Sequence, residues 1–261
     1  MKIKRNPKKS GVPASNKGTL STLPKTRRGI EPARSASQTE TKRAARENVA
    51  EAARRVVPGA RIATPVARII ARAKLPSRFG MFQILGLEGD RPEESGVALV
   101  HGNITGRLAP LVRIHSQCLT GDVLASERCD CRAQLEYSLR EIQMAPAGVL
   151  VYLPQEGRGI GLMNKLRAYE LQDGGMDTVE ANRTLGFDAD SRDYSFSAAL
   201  LKALGVKKVR LLSNNPDKVE QLERAGIRVV ERVPCQPRVS RVSARYLRTK
   251  RDKMGHLLAG L

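Results

Sequence analysis

The sequence predicts an α/β fold: a mixed sheet covered by helices, with an antiparallel β section at the start of the folded domain and a disordered basic tail ahead of it. Three observations lead there. From about residue 147 onward, short apolar runs alternate with helical patterns, the signature of strand–helix–strand units and a partly parallel sheet. Between residues 79 and 115, apolar runs follow one another across polar turns, with no helical pattern between them. The first 75 residues hold 19 of the 46 Lys and Arg but only 4 of the 26 acids, so most of the formal charge of +20 sits there.

That basic segment contains no Cys, Phe, Tyr or Trp and is rich in Ser, Thr, Pro and Ala. It cannot bury enough apolar surface to offset the ordering of its backbone, so residues 1–70 are expected to be largely disordered and residues 71–261 to form the folded domain. Within the tail, the Ala- and Arg-rich stretch from Glu40 to Val57 favours a helix whose apolar face is mostly alanine. Three readings of the tail stand: a solvated extension, a contact arm for RNA or another polyanion, and an organelle transit peptide. No apolar run approaches the ~20 residues of a membrane span. The expectation is a cytoplasmic protein without a membrane segment, in which clustered cysteines stay reduced and bind metal rather than pair.

The elements follow in order. Phe79 to Leu87, Val97 to His101 and Ala109 to His115 read as strands. Leu135, Leu139 and Ile142 recur at helical spacing, so a helix starts near Cys131. "GVLVYLP" is a buried strand, "QEGRGIG" a glycine-rich loop, "LMNKLRAYELQ" a helix, and residues 173–193 a loop. "YSFSAALLKALG" is a helix closed by Gly205, "KKVRLLS" a strand, "DKVEQLERAG" a helix closed by Gly226, and "IRVVERV" a last strand.

Three of the four cysteines crowd into "HSQCLTGDVLASERCDC" as Cys118, Cys129 and Cys131. Thiolates grouped like this select zinc. A fourth protein ligand, His115 or Cys235, would make the site structural, whereas an open fourth position would make water a nucleophile near neutral pH. Three thiols without metal is the remaining reading. In "QEGRGIGLMNK", Gly157, Gly159 and Gly161 stand between a strand and a helix, where backbone N–H groups and a helix start suit a phosphate. Glu156 and Arg158 strengthen that reading, although a tight turn uses the same residues. "GFDADSRDYS" sets Asp188, Asp190, Arg192 and Asp193 before a helix, either as capping acids or as a carboxylate and a guanidinium for proton and phosphoryl chemistry. "LLSNNPDK" puts Ser213, Asn214, Asn215 and Lys218 at the strand edge where α/β sheets bind ligands, or in a turn and helix cap.

Taken together, "HSQCLTGDVLASERCDC", "QEGRGIGLMNKLRAYELQDGGMDTVEAN", "LGFDADSRDYS", "LLSNNPDKV" and "KMGHLL" closely resemble the GTP cyclohydrolase II family, from about Ala73 to Leu258. The resemblance implies conversion of GTP to 2,5-diamino-6-ribosylamino-4(3H)-pyrimidinone 5′-phosphate, formate and diphosphate. That is the first committed step of riboflavin synthesis, run with zinc and magnesium in a homodimer. It implies that Cys118, Cys129 and Cys131 hold the zinc, with water in the fourth position. It places Arg113, Ile114, His115, Ser116, Gln117, Gln134, Glu156, Gly157, Arg158, Thr178, Ser213 and Lys218 on GTP. Asp190 is the implied proton acceptor, Tyr169 positions water and guanine, and Arg192 is the family's nucleophile on the α-phosphate. Because arginine stays protonated, a charge clamp is the physically favoured role for Arg192.

Three departures accompany the match. Gln117 stands where the family usually has Glu, Ser213 replaces the usual Thr, and the stretch from Cys235 to Lys253 lacks the usual Asn-rich segment while keeping Tyr246, Thr249 and Lys250. Many relatives are fused to a 3,4-dihydroxy-2-butanone 4-phosphate synthase, and residues 1–70 are too short and polar to be one. Two other readings stay open at this point: a paralogue serving a specialised pathway, and a degenerate GTP-binding protein with a polyanion-binding tail.

Overall fold

A computed structural model describes residues 65–106, 108–237 and 243–258. The expected disorder of the tail, and the helix expected within Glu40–Val57, lie outside the described residues.

Among the described residues seven strands form one sheet in the order β1-β2-β3-β5-β4-β6-β7. They are β1 (Arg68–Ser77), β2 (Gly80–Glu88), β3 (Ser95–Gly102), β4 (Leu111–Ser116), β5 (Ala147–Leu153), β6 (Lys208–Leu212) and β7 (Arg228–Val233). β1, β2, β3 and β5 pair antiparallel, and β5, β4, β6 and β7 pair parallel. The mixed sheet with its antiparallel start is therefore the one expected. β4 and β5 are buried along nearly their whole length because helices cover both faces.

Period-two alternation sends their side chains to two cores. Val112, Ile114, Val149 and Val151 join Leu200, Leu201 and Leu222 on one face; Leu111 and Leu150 join Leu139, Ile142 and Leu212 on the other.

Among the described residues six α-helices flank the sheet: α1 (Cys131–Met144), α2 (Leu162–Asp173), α3 (Thr178–Thr184), α4 (Ser195–Ala203), α5 (Pro216–Arg224) and α6 (Ala244–Met254). Three elements differ from expectation. β1 begins at Arg68, ahead of residue 71, and carries Arg72 and Lys74 along an exposed edge. Those charges blunt pairing with other chains, and they also mask the strand pattern. α3 lies inside what reads as a loop. α6, which has no apolar stripe to announce it, follows the last strand. No helix among the described residues is long and apolar enough to cross a membrane.

Candidate active site

The parallel strands β4, β5 and β6 all end at the same edge of the sheet, where open α/β sheets take ligands. Ser116–Gln117–Cys118 leave β4, Gln155–Glu156 leave β5, and Ser213–Asn214–Asn215 leave β6. Around these ends lies a cleft lined from all three strand ends, by Ser116, Gln155 and Ser213 among others.

After β4 the chain makes a wide helical turn, Leu119–Val123, and returns at Cys129 and Cys131. The sulfurs of Cys118, Cys129 and Cys131 lie within 4.8 Å of one another. Asp122 holds the turn from inside: it accepts from the Cys118 N–H (3.0 Å) and the Tyr152 hydroxyl (2.9 Å), and His115 Nε2 lies 3.1 Å away. The two candidate fourth ligands do not join the cluster. His115 engages Asp122, and buried Cys235 lies against Ser138 and Asn214. Three soft thiols with no fourth protein donor among the described residues fit a zinc ion that keeps a coordination position open.

Within the donor set the charge settles on one sulfur: the neighbouring thiols and burial raise the Cys129 and Cys131 pKa values, while Cys118 is driven the other way. The Cys129 and Cys131 thiols and then Lys165 pull the Cys118 thiol far below its ordinary range. Lys165 donates to Cys118 Sγ (3.0 Å), Thr120 Oγ1 (2.9 Å) and Glu156 Oε1 (2.7 Å). Burial works against its charge, but Glu156 and Cys118 outweigh that and raise its pKa. Sequence reasoning missed Lys165. Its signal is the four-residue spacing of Lys165 and Tyr169, which puts both on one face of α2. Tyr169 shares a hydrogen bond with Thr120 (3.1 Å) beneath the Arg128 guanidinium, and burial raises its pKa.

The glycine-rich loop is a tight turn with left-handed backbone at Gly157, Arg158 and Gly159. Arg158 is the costly one, since a side chain is strained there. The Gly157 N–H turns to Glu156 Oε1 (2.9 Å), so the loop offers the cavity the Arg158 side chain more than its backbone.

Asp190 binds Arg192 through both carboxylate oxygens, with Arg192 Nε at 2.8 Å. Burial would raise the Asp190 pKa, yet Arg192 holds it below the usual range. Lys218 is buried and donates to the Ile114 carbonyl (2.8 Å); among the described residues no carboxylate pairs with it. Burial, then Arg113 and Arg192, push its pKa well down. In "SNNP", Asn215 caps α5 and Asn214 ties down Cys235, so there the turn-and-cap reading holds for the asparagines.

Most of the expected residues meet in the one cleft: Arg113, His115, Ser116, Gln117, the three cysteines, Gln134, Glu156, Gly157, Arg158, Tyr169, Thr178, Arg192, Ser213 and Lys218. Two do not line it. Ile114 has its side chain in the core and only its carbonyl near Lys218, and Asp190 stands behind Arg192. Beyond the expected set, α6 and the turn after it bring in Tyr246, Lys250 and His256.

Comparison with known proteins gives the same picture. The GTP cyclohydrolase II family model matches residues 67–234. A GTP cyclohydrolase-2 of Histophilus somni is 52% identical over 191 residues, 73% of this chain and 88% of that protein. One from Haemophilus influenzae is 52% identical over 192 residues, 73% and 89% of the two chains. A riboflavin biosynthesis protein of Vibrio vulnificus is 54% identical over 190 residues, and there the chain spans 52% of its relative. The solved two-domain 3,4-dihydroxy-2-butanone 4-phosphate synthase RibBX of A. baumannii aligns at a TM-score of 0.33 with 19% identity, covering 57% of this chain and 34% of that one, too little to bear on the fold. With thiol cluster, cation-lined cleft and matched length in agreement, the chain belongs to the GTP cyclohydrolase II family.

Proposed function

We propose that the chain hydrolyses GTP to 2,5-diamino-6-ribosylamino-4(3H)-pyrimidinone 5′-phosphate, formate and diphosphate, supplying riboflavin synthesis. The observation that supports this most is the joining of two chemistries in one cleft. A three-thiol cluster suited to zinc shares it with Arg158, Arg192 and Lys218, cations suited to a triphosphate. Zinc held by Cys118, Cys129 and Cys131 supplies Lewis acidity that activates water near neutral pH.

The protein's own residues do the rest. Arg158, Arg192 and Lys218 hold the phosphates, whose negative charge offsets the burial and the Arg113 and Arg192 charges that lower the Lys218 pKa. Arg113, His115, Ser116, Gln117, Gln134, Glu156, Gly157, Thr178 and Ser213 line the remaining walls, and Ile114 contributes its backbone. Tyr169, anchored on Thr120, orients guanine beside the thiols. Asp190 is a poor proton acceptor while Arg192 grips it. A bound phosphate competes for the same guanidinium, loosens the bridge and lets Asp190 take a proton. Arg192 then acts as the clamp on the α-phosphate. Magnesium on the phosphates, a homodimer, a cytoplasmic setting and polyanion contact through an extension at residues 1–70 belong to the same proposal.

Product analysis by mass spectrometry tests it. Zinc-loaded protein with GTP and magnesium should release formate, diphosphate and the diaminopyrimidine 5′-phosphate together, and a chelator should stop all three. Unaltered GTP from folded, zinc-loaded protein would overturn the reading.

A further inference from the structure

The family model matches as far as residue 234, yet the cleft continues beyond it. α6 and the turn after it touch several of the segments that build the cleft. Lys250 Nζ pairs with Asp130 Oδ1 at 3.0 Å, and Asp130 lies between two of the thiols. The Tyr246 hydroxyl accepts from Arg158 Nη2 at 3.5 Å. Lys253 reaches Asp177 and Glu180 at the start of α3, beside Thr178. After α6, the Leu257 N–H donates to the Asn214 carbonyl at 2.9 Å.

The buried end of this set is a chain of polar groups. Lys250 and Asp130 are 8% and 7% exposed. Asp130 accepts from Gln134 Nε2, Gln134 Oε1 accepts from Arg113 Nη2 (2.5 Å), and Arg113 Nη1 donates to the Leu212 carbonyl (3.1 Å). An ionised carboxylate only accepts and a guanidinium only donates, so the Gln134 amide satisfies both in one orientation alone. It is left with one N–H and one lone pair, fixed in direction, in the wall of the cleft.

We propose that Lys250 is a positioning residue for nucleotide binding: by pairing with Asp130 it fixes the Gln134 amide and, through it, the Arg113 guanidinium. The inference rests on GTP as the ligand. Lys250 makes its ion pair with Asp130 and lies 4.4 Å from the Tyr246 ring centre, with Cys131 and Arg158 acting on it through electrostatics, so its loss acts on affinity more than on turnover.

The test uses the full chain, zinc-loaded. KM and kcat for GTP are measured beside Kd for a GTP analogue carrying methylene between the α- and β-phosphorus. Lys250→Met should raise KM and Kd about tenfold or more, with kcat within about threefold and one zinc per chain, the scale of one well-made hydrogen-bond set. That substitution leaves Asp130 buried and unpaired, which can unfold the protein. The double variant Asp130→Asn, Lys250→Met removes both charges and should regain thermal stability. Its asparagine offers Gln134 either end of an amide, so binding should stay weak. Affinity regained together with stability, or a KM unmoved in a folded Lys250→Met, overturns the proposal. Absent turnover in the unsubstituted chain overturns the reaction instead, and the analogue Kd values still decide this inference; a chain that binds no analogue overturns both.

Discussion

Gly121 has no side chain because the thiols leave it no room. A Cβ there would lie 2.9 Å from Cys129 Sγ and 3.1 Å from Cys118 Sγ. Crowding, not backbone angle, is the constraint, so Gly121→Ala must push the sulfurs apart. We expect this variant to hold well under one zinc per chain while its far-ultraviolet circular dichroism is unchanged; metal analysis showing full occupancy would count against the cluster geometry. At this scale the cysteines were legible, since three in one short window have few other uses in a reduced protein. Lys165 was not. A lysine within a helix reads as solvated surface, and only the return of the Cys118–Thr120 turn onto α2 buries it beside Glu156. The role of Asp130 was hidden for the same reason, because its partner lies 120 residues away.

Elements were legible where packing and periodicity agree. β4, β5 and β6 are buried, apolar and bounded by turns, and they stand within a residue or two of expectation. α3 escaped because seven residues in a Gly- and Asp-rich stretch offer too little periodicity, though its start was written in the sequence. Asp177 accepts from the Val179 and Glu180 N–H groups, and Glu180 returns a bond to the Asp177 N–H, a complete capping box. Asp177→Ala removes the cap and one partner of Lys253. It should cost about 1 kcal/mol, read as a lower urea midpoint with unchanged slope. An unmoved midpoint would mean that α3 is held by its packing alone. α6 was illegible for a different reason: "ARYLRTKRDKM" is charged nearly all round, and much of what it buries is the polar side chain of Lys250.

Across the whole molecule, the balance of charge inside the cleft sets the response to pH. His256 is largely surrounded by protein and faces Lys250, Arg192, Arg158 and Lys218; burial first and these cations next push its pKa down to about 3 from the usual 6.5. The unfolded chain therefore takes up a proton below about pH 6.5 that the folded chain refuses. Stability from this group is complete above that pH and is lost as pH falls toward 3. Melting temperature compared at pH 7 and pH 4.5 should drop less in His256→Gln than in the unsubstituted chain; equal drops would place the acid sensitivity elsewhere. α6 has a consequence for biosynthesis as well. With the turn that follows it, α6 is translated after the other parts of the site. A ribosome-bound chain that stops short of α6 lacks the ammonium that pairs with Asp130 and one wall of the cleft. Competence to bind nucleotide arrives late in synthesis, which keeps half-made chains from sequestering GTP.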